Sequence, residues 1–199
     1  MELLTDEIPS ELGKIVIVAH EERLVSLDYH DYDERMLALL ATRFGGSIAL
    51  RPSPNPFGLT DRLRAYLAGD LAAIEPIPVE TGGTPFQRQV WAALRRIPTG
   101  TTISYADLAR EVGRPTAMRA VGMINGRNPV AIVVPCHRVI GKDSSLTGYA
   151  GGLHRKQWLL RHEGVAIVGN GTAVERRRTG AAAFQASLPF DAVRGEAVQ

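Results

Sequence analysis

The sequence predicts an α/β protein of the α+β kind, in which a small N-terminal sheet-and-helix domain precedes a mainly helical C-terminal domain with a helix-turn-helix. Stretches rich in β-branched residues near the N-terminus predict strands, whereas helix-start signals dominate residues 84–126. The adjacent glycines Gly82 and Gly83 predict a domain boundary. The 199 residues suffice for one ordinary domain or two small ones, with a buried core. We expect two domains and a tail, over residues 1–82, 83–164 and 165–199.

The N-terminal domain begins with a predicted hairpin. The stretch "GKIVIVAHEERLVSLDYH" predicts strands at about 14–19 and 24–29 around a polar turn from His20 to Arg23. The next stretch, "YDERMLALLATRF", predicts a helix from its apolar spacing. Its apolar residues are Met36, Leu37, Leu39 and Leu40.

A proline-rich loop and a second helix follow. The stretch "RPSPNPFG" contains three prolines, which argue against regular structure. The stretch "LTDRLRAYLAGD" predicts a helix with Thr60 as N-cap and Gly69 just past its end. From Gly69 to Gly83 the sequence predicts a loop or extended linker.

The C-terminal domain opens with the strongest helix signal of the chain. In "TPFQRQVWAALRRIP", Thr84 is the predicted N-cap, Pro85 occupies the first helical position and Gln87 completes a capping box. Pro98 ends this helix. Its predicted buried stripe consists of Phe86, Val90, Trp91 and Leu94.

Two short helices come next, joined by a tight turn. The first, "SYADLAREV", has Ser104 as N-cap and Asp107 closing a capping box, and Gly113 ends it. The second covers about residues 116–126. This arrangement is typical of a helix-turn-helix, although ordinary helical hairpins share it.

The remaining elements surround the single cysteine of the chain. Val130 to Val134 predict a fully buried strand or strand-like segment shortly before Cys136. A glycine-rich loop, "GKDSSLTGYAGG", precedes a last helix that Gly164 ends. The residues predicted to face inward on that helix are Leu153, Trp158, Leu159 and His162. From residue 165 onward the sequence shows little periodicity, which predicts a loosely attached tail.

Charge is distributed unevenly along the chain. Residues 1–83 hold 7 Lys and Arg against 14 Asp and Glu, a net of −7, whereas residues 84–164 hold 12 against 4, a net of +8. A basic block of this kind suggests contact with a polyanion. Two solvated faces of opposite sign would give the same counts, so charge alone leaves both interpretations open.

The apolar runs and the cysteine content indicate where the protein resides and which cofactors it could hold. No stretch approaches the ~18 apolar residues of a membrane span, and the acidic N-terminus lacks the apolar run of a signal peptide. One cysteine excludes an internal disulfide and a multi-cysteine zinc site. We therefore expect a cytoplasmic protein without a metal or other cofactor.

The lone cysteine allows two interpretations. A single cysteine is most often a small buried hydrophobe. A nucleophilic cysteine instead needs nearby positive charge or a base, which His137 and the cations of Arg138, Lys142 and Arg127 could supply. Because Cys136 and His137 are adjacent, they can cooperate only across a turn or through a water, and His137 could equally be a core histidine.

The second helix of the predicted helix-turn-helix carries few base-reading side chains. Its surface offers small residues such as Ala117, Ala120, Gly122 and Gly126, with Arg119 as the one long side chain near its start. Small residues allow close approach to a narrow minor groove. They also allow tight packing against the preceding helix, with Arg119 in solvent, and this stretch alone favours the packing interpretation.

Several motifs together nevertheless identify a family. "SYADLA", "RAVG", "NPVAIVVP", "PCHRV" and "GYAGGLHRKQWLLRHEG" occur in that order within residues 84–164. In this region the chain resembles the O6-alkylguanine-DNA alkyltransferases, also called methylated-DNA–protein-cysteine methyltransferases. The resemblance implies an N-terminal sheet-and-helix domain, RNase H-like, and a protein that moves an alkyl group from O6 of guanine in duplex DNA to its own cysteine.

The resemblance also assigns roles to five residues of this chain. It implies that Cys136 accepts the alkyl group and that His137 takes the thiol proton through a water. Glu163 would orient His137, and Asn128 would hydrogen-bond near the sulfur. Tyr105 would donate to the guanine ring nitrogen N3, which makes the purine a better leaving group.

Further positions would bind the base and the DNA. The resemblance implies that the Val139 carbonyl reads the guanine amino group, and that a loop closes over the base at Tyr149, Ala150 and Gly151. Some members have serine at the position of Ala150. Alanine keeps the main-chain amide at this position and lacks only the hydroxyl of serine.

The expected DNA contacts lie in and around the helix-turn-helix. They are Arg119 as a finger that fills the gap left by a flipped base, Ala120 and Gly122 on the minor-groove helix, and Arg114 and Lys142 on phosphates. The zinc site of some members cannot form here, because this chain lacks the cysteines.

The expected function is single-use repair of O6-alkylguanine by a monomer that binds duplex DNA through its minor groove. The sequence leaves open whether O4-alkylthymine is also repaired and whether binding is cooperative along DNA. The main alternative is a lesion-binding module without transfer, which would lack the acceptor cysteine. A helix-turn-helix regulator with a structural cysteine and a cysteine hydrolase are two further alternatives. We expect no membrane partner.

Overall fold

The protein has mixed α and β structure, with a sheet in the N-terminal half and helices in the C-terminal half, as predicted. A computed structural model describes residues 1–45 and 47–175. Four strands form the N-terminal sheet in the order β3-β2-β1-β4. They are β1 (Glu2–Ile8), β2 (Ile15–His20), β3 (Arg23–Tyr29) and β4 (Ala49–Pro52). Two helices accompany them, α1 (Asp33–Phe44) and α2 (Leu59–Leu67).

The predicted hairpin is confirmed. Strands β2 and β3 pair antiparallel, and Glu21 and Glu22 form the turn with positive φ angles of 47° and 63°. Strand β1 is a further strand that the sequence patterns did not reveal. It pairs antiparallel with β2 and parallel with β4, so it lies inside the sheet.

Two predictions in the second half of this domain are wrong. The proline-rich loop begins inside strand β4, where Arg51 and Pro52 pair with Leu4 and Thr5. Strand β4 lies at the sheet edge, where a proline at the strand end costs no ladder hydrogen bond. Thr60 is the second residue of α2 and not its N-cap.

The capping predictions of the C-terminal half are confirmed. Helix α3 (Pro85–Arg95) has a capping box between Thr84 and Gln87, and helix α4 (Tyr105–Glu111) has one between Ser104 and Asp107. Helix α5 (Met118–Gly126) begins two residues later than expected. Helices α4 and α5 are joined by a turn at Gly113, which has a φ of 67°.

The segment before the cysteine is buried but is not a strand. Val130 makes an isolated bridge to Leu27, after which the chain turns and Ile132 adopts a φ of 67°. A fully buried apolar run has no periodicity that separates a strand from a packed turn. Cys136–Arg138 then form a short helical turn, and β6 (Val139–Ile140) pairs with β5 (Ile103–Ser104).

The last helix and the residues after it also differ from expectation. Helix α6 (Leu153–His162) exposes Leu153, whereas Arg155 and Lys156 are buried. The expectation of a loose tail is wrong for residues 165–175, which form a small hairpin of β7 (Ile167–Val168) and β8 (Ala173–Val174). The rest of the predicted tail, 176–199, lies outside the described residues.

One hydrophobic cluster joins the two halves of the chain. It combines Ile17 and Leu27 of the N-terminal sheet with Trp91, Val130 and Val134 of the C-terminal half. The site residues around Cys136 therefore rest on a core to which both halves contribute. Among residues 1–45 and 47–175, no helix is long and apolar enough to cross a membrane.

Candidate active site

The thiol of Cys136 lies at the start of a helical turn that an asparagine holds in place. The residue is 5% exposed, and its Sγ accepts a hydrogen bond of 3.1 Å from Nδ2 of Asn128. The same Nδ2 donates to the Val134 carbonyl at 2.7 Å, and Oδ1 accepts from the Val130 amide at 3.0 Å. Asn128 thus braces the turn and contacts the sulfur.

Burial works against ionisation of this thiol. It raises the pKa of Cys136, while the hydrogen bond from Asn128 and the charges of Lys156 and Arg35 act in the opposite direction. The resting thiol is therefore protonated at neutral pH, and nucleophilic attack requires a group that takes its proton. The cations near the sulfur are Lys156 and Arg35, whereas Arg138 points elsewhere.

The adjacent histidine belongs to a buried ion-pair cluster. His137 is 0% exposed, and its Nε2 lies 3.0 Å from Oε1 of Glu163. Arg138 donates to both oxygens of Glu163 at 2.8 Å, and the Tyr66 hydroxyl donates to Oε1 at 2.8 Å. The contacts with His137 and Arg138 hold the pKa of Glu163 well below its usual range against the effect of burial.

The charge of Glu163 fixes the tautomer of the histidine. An ionised carboxylate only accepts hydrogen bonds, so Nε2 of His137 must donate and Nδ1 must carry the lone pair. Burial lowers the pKa of His137, which keeps the ring neutral near pH 7. Its Nδ1 is buried without a hydrogen-bond partner in the described part of the chain, and is therefore a base in need of a proton donor.

Two members of this cluster were not recognised in the sequence. Tyr66 comes from α2, nearly a hundred residues before Glu163, and no local motif marks it. Arg138 stands beside the predicted pair, and the sequence offers it only as a candidate cation near the sulfur. In the structure it also donates to the Ile97 carbonyl and to Thr99 Oγ1, which fixes its guanidinium.

The residues expected around the base surround the same turn. The Tyr105 hydroxyl donates to the carbonyl of Gly148, within the glycine-rich loop, at 3.2 Å. The Val139 carbonyl accepts from the buried Lys156 ammonium at 2.5 Å, and the same ammonium donates to the Thr147 carbonyl at 2.7 Å. Burial lowers the pKa of Lys156 to about 8.

The loop of Tyr149, Ala150 and Gly151 packs against the N-terminal sheet. The Tyr149 hydroxyl lies 3.0 Å from the hydroxyl of Tyr29, the last residue of β3. Gly151 is buried and its carbonyl accepts from Arg155 at 3.0 Å. Burial raises the pKa of Tyr149, so its hydroxyl is protonated at neutral pH.

The expected DNA contacts lie on the surface and not in the thiol cluster. Arg119 is exposed on α5, and Arg114 is exposed with its guanidinium 5.1 Å from the Phe86 ring centroid. Lys142 is also exposed. Ala120 is half-buried on α5.

The two glycines of α5 are not required by packing within the protein. A Cβ atom on Gly122 would lie 3.7 Å from the Tyr105 ring, an ordinary contact distance, and one on Gly126 would meet no atom within 4 Å. Glycine inside a helix costs up to about 1 kcal/mol relative to alanine. The small size of these positions therefore favours close approach by a partner over internal packing.

Among residues 1–45 and 47–175, no three His, Cys, Asp or Glu side chains are grouped so as to hold a metal ion. The arrangement can support proton transfer from a thiol to an imidazole and attack by the resulting sulfur.

Two family profiles match nearly the whole described chain. The family described as 6-O-methylguanine DNA methyltransferase, ribonuclease-like domain, matches residues 5–81. The family described as 6-O-methylguanine DNA methyltransferase, DNA binding domain, matches residues 85–165.

Individual relatives agree with these profiles. A methylated-DNA–protein-cysteine methyltransferase of Shigella flexneri is 49% identical over 170 residues, which cover 84% of this chain and 99% of the relative. One of Mycobacterium bovis is 43% identical over 157 residues, covering 78% of this chain and 89% of the relative. The solved structure of Mycobacterium tuberculosis OGT in complex with DNA superposes with a TM-score of 0.66 at 38% identity, covering 82% of this chain and 92% of the other.

Proposed function

This chain belongs to the 6-O-methylguanine DNA methyltransferase family, and from that premise we propose that it transfers the alkyl group of O6-alkylguanine in duplex DNA irreversibly to Cys136. One observation supports the assignment of residues. Next to Cys136, the ionised carboxylate of Glu163 holds His137 as a neutral imidazole whose buried Nδ1 has no hydrogen-bond partner among the described residues. DNA repair by alkyl transfer is the activity of the family. The roles of individual residues are our inference.

The transfer is a displacement at an alkyl carbon. The Cys136 proton passes through a water to Nδ1 of His137, and the sulfur then attacks the carbon attached to O6. The S–C bond forms as the C–O6 bond breaks, and the bonding electrons leave with the purine. Tyr105 exchanges its bond to the Gly148 carbonyl for one to N3 and donates its proton there. The Tyr105 phenolate then regains a proton from water and the His137 imidazolium gives one up to water, so that the net change moves one proton from the thiol to the purine.

The base must leave the helix to reach this sulfur. Cys136 is 5% exposed, which supports extrusion of the damaged nucleotide into the protein. We assign the Val139 carbonyl to the guanine amino group and the loop of Tyr149, Ala150 and Gly151 to the face of the base. One lone pair of the Val139 carbonyl is used by Lys156, which leaves the other for the base.

Helix α5 is assigned to the minor groove. The two glycines without an internal packing role support close approach of the helix to DNA. Arg119 would fill the gap left by the extruded base, Ala120 and Gly122 would face the groove, and Arg114 and Lys142 would contact phosphates. We further propose that the protein acts on DNA as a monomer.

A pair of measurements on one variant tests this proposal. Cys136→Ser replaces the thiol by a hydroxyl of similar size and so removes the nucleophile. This variant should show no transfer from a methylated duplex in a single-turnover assay. The same variant should bind that duplex with an affinity within about threefold of the unchanged protein. Retention of transfer would exclude Cys136 as the acceptor, and loss of binding by the folded variant would contradict the separate roles of thiol and DNA surface.

A further inference from the structure

The N-terminal sheet makes a direct contact with the loop assigned to the base. Tyr29 ends strand β3 and is 0% exposed, and its hydroxyl lies 3.0 Å from the hydroxyl of Tyr149. Tyr29 carries no role in the reaction described above. Its position is nevertheless unusual for a core residue, because its polar end is aimed at a functional loop.

An arginine contacts both Tyr29 and the backbone of the loop that carries Tyr149. The Arg155 guanidinium lies 4.1 Å from the Tyr29 ring centroid and forms two hydrogen bonds with Asp31, of 2.8 and 2.9 Å. It also donates to the Gly151 carbonyl at 3.0 Å. One cation therefore fixes the Tyr29 ring from one side and the loop backbone from the other.

The loop approaches Tyr29 as closely as a glycine allows. A Cβ atom on Gly151 would lie 2.5 Å from Cε2 of Tyr29 and 2.9 Å from Cε1 of Tyr149. Both distances are below van der Waals contact, so any side chain at position 151 would separate the two rings. The packing of Tyr29 and Tyr149 thus depends on a bare backbone between them.

Both phenols stay neutral where they meet. Burial raises the pKa of Tyr29 and of Tyr149, and the negative charge of Cys136 as thiolate contributes to the rise in each case. The two hydroxyls therefore keep their protons at neutral pH, and both lie near enough to the sulfur to respond to its charge.

We propose that Tyr29 is a positioning residue for alkyl transfer, whose hydroxyl holds the Tyr149 ring where it can cover the extruded base in line with Cys136. This inference rests on the proposed function, since it assigns Tyr149 to the base. Through Tyr29, the N-terminal sheet would help to position the base pocket as well as pack against it. Removal of the Tyr29 hydroxyl should then slow the reaction without weakening the binding of DNA.

The test uses phenylalanine variants of the intact protein. Methyl transfer from a methylated duplex is followed in single turnover over a range of protein concentrations, which separates the maximal rate from the half-saturating concentration. Tyr29→Phe and Tyr149→Phe should each lower the maximal rate by about 2- to 10-fold, the effect of one net hydrogen bond. The double variant should be no slower than the slower single variant, because both changes remove the same bond.

Two controls separate positioning from general damage. Tyr32→Phe is the matched variant, because the Arg155 guanidinium also lies 5.8 Å from the Tyr32 ring centroid but no hydrogen bond joins Tyr32 to the loop in the described residues. It should leave the maximal rate unchanged. Alkylation of Cys136 by iodoacetamide needs no base pocket, and Tyr29→Phe should leave its rate unchanged.

Three results would overturn the inference: a Tyr29→Phe rate equal to that of Tyr32→Phe, additive losses in the double variant, or a parallel loss of iodoacetamide reactivity. Failure of the proposed function is distinguishable from all three. It would appear in the unchanged protein, as the absence of methyl transfer to Cys136.

Discussion

Glu163 determines the ionisation of the site at the scale of single residues. Its carboxylate accepts from His137, Arg138 and Tyr66, and these donors keep it charged although it is only 4% exposed. A charged Glu163 makes His137 a neutral base and leaves its other nitrogen bare. The reactivity of a buried thiol therefore depends on a carboxylate that has no contact with it.

Replacement of this carboxylate by an amide should affect both rate and stability. In Glu163→Gln the histidine loses its anionic acceptor, and we expect transfer to slow by about 100-fold or more. Arg138 would remain as a buried charge without an anionic partner, which should destabilise the protein by about 3–5 kcal/mol at pH 7. Single-turnover kinetics and denaturant unfolding measure the two effects.

The stability loss should depend on pH in a defined direction. The pKa of Glu163 is lowered in the folded protein, so its ionisation stabilises the fold above the unfolded pKa of about 4.3 and this contribution fades as pH falls below it. The difference between Glu163→Gln and the unchanged protein should therefore shrink between pH 7 and pH 3.5. An equal difference at both values would show that charge is not the cause.

The sequence indicated the proposed acceptor but not the residues that the structure places around it. Cys136, His137 and Asn128 lie within nine residues of one another, and a recognisable motif contains them. Tyr66 and Lys156 reach the site only because the fold brings α2 and α6 together around it. A lysine or tyrosine that faces a core has no local signature, so such partners become visible only in three dimensions.

Helix α5, which we propose lies in the minor groove, contains an interior glycine that lowers its own stability. Gly122 lies in its interior without a packing reason for glycine. Arg119 and Met123 are exposed on it. These features are typical of a helix whose surface contacts DNA backbone at short range.

Gly122→Ala should separate stability from DNA binding. The added methyl group lies at ordinary contact distance from Tyr105, so we expect the free energy of unfolding to rise by about 0.5–1 kcal/mol. The same methyl should weaken binding of duplex DNA, measured by fluorescence anisotropy. A variant that is more stable and binds DNA as tightly as before would contradict the groove-facing role.

Arg119→Ala should impair repair of duplex more than reaction with a free base. Extrusion of a base costs a few kcal/mol in a duplex and nothing for a free O6-alkylated purine. We expect at least a tenfold loss of transfer rate with methylated duplex and little change with the free base. Arg127→Ala, another exposed arginine just after α5, is the control, and equal losses on both substrates would exclude a finger role.

At the element scale, local signals were predictable and nonlocal pairings were not. Both capping boxes follow from residues three apart, so Thr84 and Ser104 were identified from sequence alone. Strand β1 mixes apolar and acidic residues, and β4 ends on Pro52, so neither has the alternation of a typical strand. Their partners in the sheet, rather than their own residues, determine their conformation.

The whole molecule behaves as one core with two charge regions. Leu27 of β3 pairs with Val130, and the buried Ser26 hydroxyl donates to the Pro129 carbonyl at 3.1 Å. The charge contrast between the halves was visible in the sequence, but the shared core was not, because the apolar patterns of separate elements do not reveal their partners. Gly82 and Gly83 thus separate an acidic from a basic part of the sequence, although both parts contribute to one hydrophobic core.

This shared core predicts that the two halves unfold together. Both tryptophans, Trp91 and Trp158, lie in the C-terminal half, so their fluorescence reports on that half. Leu27→Ala in the N-terminal sheet should nevertheless lower the free energy of unfolding measured by tryptophan fluorescence by about 2–5 kcal/mol. Far-UV circular dichroism should report the same change. Leu37→Ala, at a position 43% exposed, should change that free energy by less than about 0.5 kcal/mol.

If Leu27→Ala lowered the free energy of unfolding measured by circular dichroism but not that measured by fluorescence, the two halves would fold independently. The N-terminal sheet would then be less able to position Tyr149 through Tyr29.

The most direct test of the account is peptide-level mass spectrometry of the protein after reaction with a duplex that carries one O6-methylguanine. The account predicts one added methyl group per protein molecule, located on Cys136, with guanine restored in equal amount and no second turnover in excess DNA. Restoration of guanine with an unmodified Cys136, or repair of more lesions than there are protein molecules, would contradict it.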